Sequence, residues 1–325
     1  MKRSKDYFNS SILLSARGII GYMFKLLVIC CCLLSCLSAC KSREETAPKT
    51  EARGPEIVIG LIPEQNIFAQ MDRYEQLSDY LSAKMGRPIR WRVVPHYGTI
   101  IDYFRSSGVD GAFLGSFSYV LVHAKAGADV LVRAEDLYGR STSSGVIIVR
   151  RDSGIKSAKD MKGKRFAFVD KATTAGYLLP LAYFKKMGIE NYNAYFKEVY
   201  FAGTYTDAIN DVIDRKADIA AVKNTVFEKV EDTGKRGKKE LLILEKFPEE
   251  PESGLVVRKG LDPALKKELK QVLLNMYKDP DGQNVLEKFG ARRFIETTDE
   301  DYKLIYDYVG EIGINLNTFD YAGKK

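Results

Sequence analysis

Beyond residue 40 the sequence contains no cysteine; the five present are Cys30, Cys31, Cys32, Cys36 and Cys40. Disulfides, a thiolate nucleophile and cysteine metal sites are therefore excluded from the body of the chain. Histidine is nearly as scarce, with only His96 and His123, on separate segments. Two such residues cannot build a catalytic zinc site without much carboxylate help, and a polar surface role suits each better. No metal and no cofactor is expected. Gly-x-Ser-x-Gly, His-Glu-x-x-His and Gly-x-x-x-x-Gly-Lys-Ser/Thr are all missing, which argues against an enzyme. Strong charge of one sign is missing too. The net charge is +7, and the first 39 residues carry +4 of it, leaving +3 on residues 40–325. That balance gives no case for nucleic-acid binding. The basic run KRGKKE (235–240) has no interleaved aromatics for base stacking and reads as a solvated loop.

A hydrophobic run long enough for a permanent membrane span is also lacking. Leu26–Leu37 is apolar but too short. It follows Lys25 and ends in Leu37-Ser38-Ala39-Cys40. A basic start, a short apolar core and small residues before a cysteine resemble the lipobox of bacterial lipoproteins, in which the cysteine is lipidated and the chain is cut just before it. An ordinary signal peptide or anchor is the competing reading. Met23 alone would begin a compact signal, leaving 1–22 as an extended leader or an upstream mis-start. The expected order is a leader over 1–39, then lipidated Cys40 with a polar flexible tether to residue 55.

The chain from residue 56 to residue 325 is long enough for a large core and two lobes. Apolar runs suited to strands alternate with amphipathic segments suited to helices. EIVIGLI (56–62), IRWRVV (89–94), VDGAFLG (109–115), DVLVRA, KRFAFVD (164–170), KEVYF (197–201), ADIAAV (217–222) and LLILEK (241–246) read as strands. The C-terminal segment reads as three helices, 263–277, 282–289 and 299–310. Strand then helix, repeated, predicts an α/β protein with open, mostly parallel sheets flanked by helices. Two segments look alike, SSGVIIVRRDSGI (143–155) and ESGLVVRKGLDP (252–263). They are expected to pair as hinge strands between a first lobe of 56–147 plus 255–325 and a second lobe of 150–252.

Ligands of open α/β sheets bind beyond the carboxyl ends of the strands. Four turns there combine hydroxyls with glycine: His96-Tyr97-Gly98-Thr99, Gly115-Ser116-Phe117-Ser118, Thr173-Thr174-Ala175-Gly176, and Thr204-Tyr205-Thr206 after Gly203. Free amide N–H groups at a helix start, with hydroxyl donors beside them, suit an oxyanion. Any one such turn is better explained by ordinary capping. The four together point to binding.

Several longer stretches carry a family resemblance. They are VPHYGTIIDYFRSSGVDGAFLGSFSYV (94–120), IKSAKDMKGKRFAF (155–168), FVDKATTAGYLLP (168–180) and FAGTYTDAINDVIDRKADIAAV (201–222). In this order they resemble the phosphate/phosphite/phosphonate-binding components of ABC transporters, over about Glu56 to Tyr308. The resemblance implies the type II periplasmic-binding fold, in which two lobes close over a ligand and deliver it to a membrane permease. The family's Ser-Thr-Ser-Gly loop falls on Thr173, Thr174, Ala175 and Gly176; Ala175 offers only its backbone N–H. Tyr97 matches a tyrosine lining the family's site. The family's Gly-x-His is Gly203-Thr204 here, without the histidine, and Lys223 stands where many members place an aspartate. Lys223 would favour a more negative ligand, or one without an amine.

The expected ligand-binding set is Tyr97, Ser116, Ser118, Thr173, Thr174, Ala175, Gly176, Thr204 and Lys223. The expected function is capture of a small oxyanion by hinge closure, in a monomeric protein anchored by lipid at Cys40 and serving an ABC permease. A sensory module reporting occupancy to a receptor or kinase would use the same cleft. An enzyme on this scaffold is disfavoured by the missing motifs.

Overall fold

The computed structural model describes residues 54–64, 67–233 and 237–322. The leader, Cys40 and the tether up to residue 53 lie outside the described residues. So do residues 235 and 236 of the basic run, while 237–240 form one helical turn. No helix among the described residues is long and apolar enough to cross a membrane.

Eleven strands form two sheets among the described residues. They are β1 (Ile57–Leu61), β2 (Ile89–Val93), β3 (Gly111–Leu114), β4 (Asp129–Asp136), β5 (Thr142–Arg150), β6 (Arg165–Phe168), β7 (Glu198–Phe201), β8 (Ile219–Lys223), β9 (Leu241–Pro251), β10 (Gly254–Val257) and β11 (Ala291–Glu296). The first sheet runs β2-β1-β3-β10-β4-β11 and the second β7-β6-β8-β5-β9. Every residue of the central strands β3, β8 and β10 is buried, as unbroken apolar runs covered on both faces should be. Edge strand β7 has no buried residue.

Pairing is parallel where strand–helix–strand units build the sheet, β2-β1-β3 and β7-β6-β8. It turns antiparallel where the chain crosses between sheets and closes, at β10, β11, β5 and β9. The mostly parallel expectation thus holds for the repeating half of each sheet and fails at the crossover side.

The hinge differs from expectation as well. β5 pairs with β9, while β10 lies in the first sheet between β3 and β4, so 143–155 and 252–263 are not partners. The crossing pair is Thr142 opposite Pro251 and Ser143 opposite Glu250, with the Glu252 N–H donating to the Ser141 carbonyl at 3.0 Å. β9 runs five residues past the apolar LLILEK, through Pro248 and Pro251. An edge strand tolerates proline because one row of its backbone groups has no ladder partner. The second sheet begins at Thr142, so 142–147 belong with it.

Helix ends follow local chemistry. Asp262 accepts the Leu265 N–H ahead of Pro263, which begins the helix Pro263–Asn275. Asp279 and Pro280 open Pro280–Phe289, and Gly290 closes it at φ +87°, where a side chain would be strained. The C-terminal helix Lys303–Ile312 spans both halves. Tyr302 and Tyr306, at its start, lie by Tyr119 and Asp299, and Lys185 donates to the Glu311 carbonyl at 2.6 Å. Phe319 packs its ring against both Phe117 and Tyr177.

Candidate functional site in the gap between the sheets

β3 ends at Leu114, Gly115 is extended, and the helix Ser116–Ala126 starts at once with no side-chain cap of its own. Its start faces the turn that follows β6. That turn is a π-helical piece, Thr174–Leu178, continuing into the helix Leu179–Lys186. A wider turn of this kind places side chains that an α-helix would aim elsewhere. Gly176 is required here, because a Cβ would lie 2.6 Å from Cβ of Val169 and 2.7 Å from Oγ1 of Thr173.

The two turns meet directly. The Phe117 N–H donates to Oγ1 of Thr174 at 2.9 Å. Ser118 donates to the Ala172 carbonyl at 2.7 Å, and Ser116 to the Pro251 carbonyl of the hinge at 2.9 Å. Thr173 turns back onto the Asp170 carbonyl at 2.6 Å. Thr173, Thr174, Ser116 and Ser118 are all buried. Tyr97 is buried beside them, its hydroxyl makes no hydrogen bond, and its ring meets Tyr205 edge-on. Burial, with Tyr205 beside it, pushes the Tyr97 hydroxyl well above its ordinary pKa, so it remains an O–H donor.

The cavity among these groups measures about 10 Å³, room for roughly one water. Its lining brings the hydroxyls of Tyr97, Ser116, Ser118, Thr173, Thr174 and Tyr205 together with Lys223, Glu64, Glu250 and Ser253. Lys223 ends β8 and is ion-paired with Glu252, with Ser253 at 3.4 Å. Burial works against its charge, but Glu252 and Glu64 hold its pKa above the ordinary lysine value. Burial likewise opposes charge on Glu252, and Lys223 and the Ser253 N–H hold its pKa below the usual range. Glu250 behaves oppositely. Burial pushes its pKa up to about 8, only partly offset by Lys223 and the hydroxyls of Thr174 and Ser116. Its Oε2 is buried and makes no hydrogen bond. A second cavity, about 340 Å³, shares Glu64, Lys223 and Ser253 with the first and continues past Arg73, Tyr74 and Phe289.

Six of the nine residues expected from sequence line the small cavity: Tyr97, Ser116, Ser118, Thr173, Thr174 and Lys223. Ala175 and Gly176 are buried but do not line it. Thr204 lies apart, capping the helix Tyr205–Ile213 by accepting the Asp207 N–H and donating to its carboxylate. Its neighbour Tyr205 is the residue of that turn that enters the cavity. Sequence reasoning missed Glu64, Ser143, Glu250 and Ser253. The acidic residues of EEPES (249–253) carry no signal separating them from a solvated loop; only the length of β9 brings Glu250 inside, while Glu249 beside it stays exposed. His96 is exposed, and His123 lies 2.8 Å from the Ala128 carbonyl through Nδ1. No group of three His, Cys, Asp or Glu that could hold a metal occurs among the described residues.

Two α/β halves joined by a short crossing pair, with polar turns facing each other across the gap, define a two-lobed solute-binding protein. The family model for the ABC transporter, phosphonate, periplasmic substrate-binding protein matches residues 59–302, and the chain belongs to this family of extracytoplasmic binding components. It is 28% identical over 273 residues to a probable ABC transporter phosphite binding protein of Prochlorococcus marinus, covering 80% of this chain and 89% of that one. It is 28% identical over 247 residues to the phosphonates-binding periplasmic protein of Escherichia coli, covering 74% and 71%. A binding component of a Pseudomonas aeruginosa phosphonate transporter shares the fold, with a TM-score of 0.74, 22% identity and coverage of 81% and 89%. The Prochlorococcus protein, solved with methylphosphonate, superposes with a TM-score of 0.70, 23% identity and coverage of 79% and 98%.

Proposed function

We propose that this protein captures a small phosphorus oxyanion of the phosphonate, phosphite or phosphate class between its two halves and delivers it to an ABC permease. The carrying observation is the Phe117 N–H, which leaves a helix start, crosses the gap and finds an oxygen of the opposite half. In the closed form this oxygen belongs to Thr174. An oxyanion oxygen would replace it as acceptor, and the Thr174 hydroxyl, now hydrogen-bonded to Glu250, would turn to donate to the ligand. Tyr97, whose hydroxyl has no partner, supplies a further donor at the same point, and Ser116, Ser118 and Thr173 would add theirs by turning away from the carbonyls they now donate to. Relatives named for phosphite, phosphonates and phosphate import fit one tetrahedral oxyanion class.

The mechanism is hinge bending about Ser141–Ser143 and Glu250–Glu252. The cavity is too small for a tetrahedral oxyanion in the closed arrangement, so entry requires opening. Ligand favours closure only through contacts to both halves. Nothing in this cycle needs a cofactor or a turnover step. The division into lobes follows the sheets, with the leader removed, Cys40 lipidated and the monomer tethered near its permease. The test is a thermal-shift panel of phosphate, phosphite, methylphosphonate and sulfate. At least one phosphorus oxyanion should raise the melting temperature in a concentration-dependent way. Stabilisation by none of them would reject the reading.

A further inference from the structure

Glu250 presents a difficulty for an oxyanion site, and its resolution assigns the residue a role. It stands on β9 in the crossing pair, opposite Ser143, and its side chain enters the small cavity. The titratable and polar groups around it are Lys223 of β8, Glu64 just past β1, Glu252 of its own segment, Tyr205 of the helix Tyr205–Ile213, Tyr302 and Tyr308 of the C-terminal segment, and the Thr174 and Ser116 hydroxyls. Lys223 is the one cation among the described residues lining the cavity, and it is ion-paired with Glu252. Oε2 of Glu250 is left buried with no hydrogen bond. An ionised carboxylate there accepts hydrogen bonds only and repels an anion; a neutral carboxylic acid is a donor.

We propose that Glu250 serves as a neutral carboxylic acid that donates a hydrogen bond to the captured oxyanion, so the site takes the anion only while Glu250 holds its proton. This rests on the oxyanion reading above. It makes Glu250 a specificity-determining residue, since a ligand lacking an acceptor oxygen at that point leaves the acid unsatisfied. It also ties affinity to pH. The geometry calls for a neutral acid, and the environment supplies one, since burial raises the Glu250 pKa to about 8.

The test is titration calorimetry with methylphosphonate on the wild type and Glu250→Gln, at pH 6.5 and 9.5. The ligand's own ionisation is common to both proteins and cancels in the ratio of their dissociation constants. The wild-type to variant ratio should rise by about 30-fold between the two pH values, as a group titrating near pH 8 loses its proton. A ratio that stays constant while both proteins bind overturns the inference and leaves the oxyanion reading intact. Absence of binding by any phosphorus oxyanion at either pH overturns both. A preference for 2-aminoethylphosphonate that strengthens toward high pH and vanishes in Glu250→Gln would make Glu250 an ionised ammonium partner, and also overturns it. Should Glu250→Gln not fold, Glu250→Leu serves the same ratio, because it too lacks a titrating group.

Discussion

Glu250 and Glu252 stand two residues apart at one crossing point, yet their surroundings drive them to opposite states. Glu252 has Lys223 beside it and stays ionised. Glu250 has hydroxyls, tyrosines and a neighbouring carboxylate, and burial holds it toward the neutral form near pH 7. The same lysine touches Glu252 but acts on Glu250 only through space, so it outweighs burial for one and only partly offsets it for the other. One flank of the gap is therefore a closed ion pair, and the other remains rich in donors. Counting charges in a cleft thus does not predict what the cleft binds; how each charge is already partnered does.

Breaking the ion-paired side should give the larger effect on stability. Lys223→Met leaves Glu252 poorly compensated, and loss of one member of a largely buried pair should cost about 4 kcal/mol. In the wild type Glu252 has a depressed pKa, so its stabilising contribution is present at neutral pH and fades as pH falls. The deficit of Lys223→Met, followed by urea unfolding, should thus shrink below about pH 4. A deficit constant with pH would mean that the pair is not the source.

The other flank carries the opposite sign. Glu250 has a folded pKa above its unfolded value, so it stabilises the fold fully below about pH 4.5 and loses that contribution as pH rises to about 8. By pH 7 the loss is about 3 kcal/mol. Glu250→Gln removes the titration, so without ligand it should unfold at higher urea than the wild type at pH 7, with the gap closing near pH 4.5. A variant less stable than the wild type at pH 7 would place an ionised Glu250 in the folded protein.

The alternation of strands and helices was legible because burial on both faces leaves unbroken apolar runs, as in GAFL of β3 and IAAV of β8. The helix start at Asp262-Pro263 was legible, whereas the next helix opens at Asp279-Pro280, two residues ahead of the expected 282. β11 was not legible. Arg292 and Arg293 stand together on this edge strand, and a register irregularity between Ala291 and Arg293 breaks the two-residue alternation. The extent of β9 was hidden by its two prolines. In the site, hydroxyl-bearing turns could be found, but not which hydroxyl faces the gap. Thr174 and Thr204 both precede helices, and only the meeting of two distant turns makes one an interlobe contact and the other a cap. Glu250 and Glu252 were invisible for the same reason, since partnering is a tertiary property.

If hydroxyls and amide N–H groups from both halves hold one oxyanion, removing them must weaken its capture. The decisive quantity is the dissociation constant of methylphosphonate, by calorimetry, for the wild type, Thr173→Ala with Thr174→Ala, and Thr204→Ala. Loss of two donors to a charged acceptor should weaken binding by about 100-fold or more. Thr204→Ala should cost about 1 kcal/mol of stability through its lost cap while leaving affinity at the wild-type level. A double variant that binds methylphosphonate as tightly as the wild type would contradict an oxyanion site built from these turns.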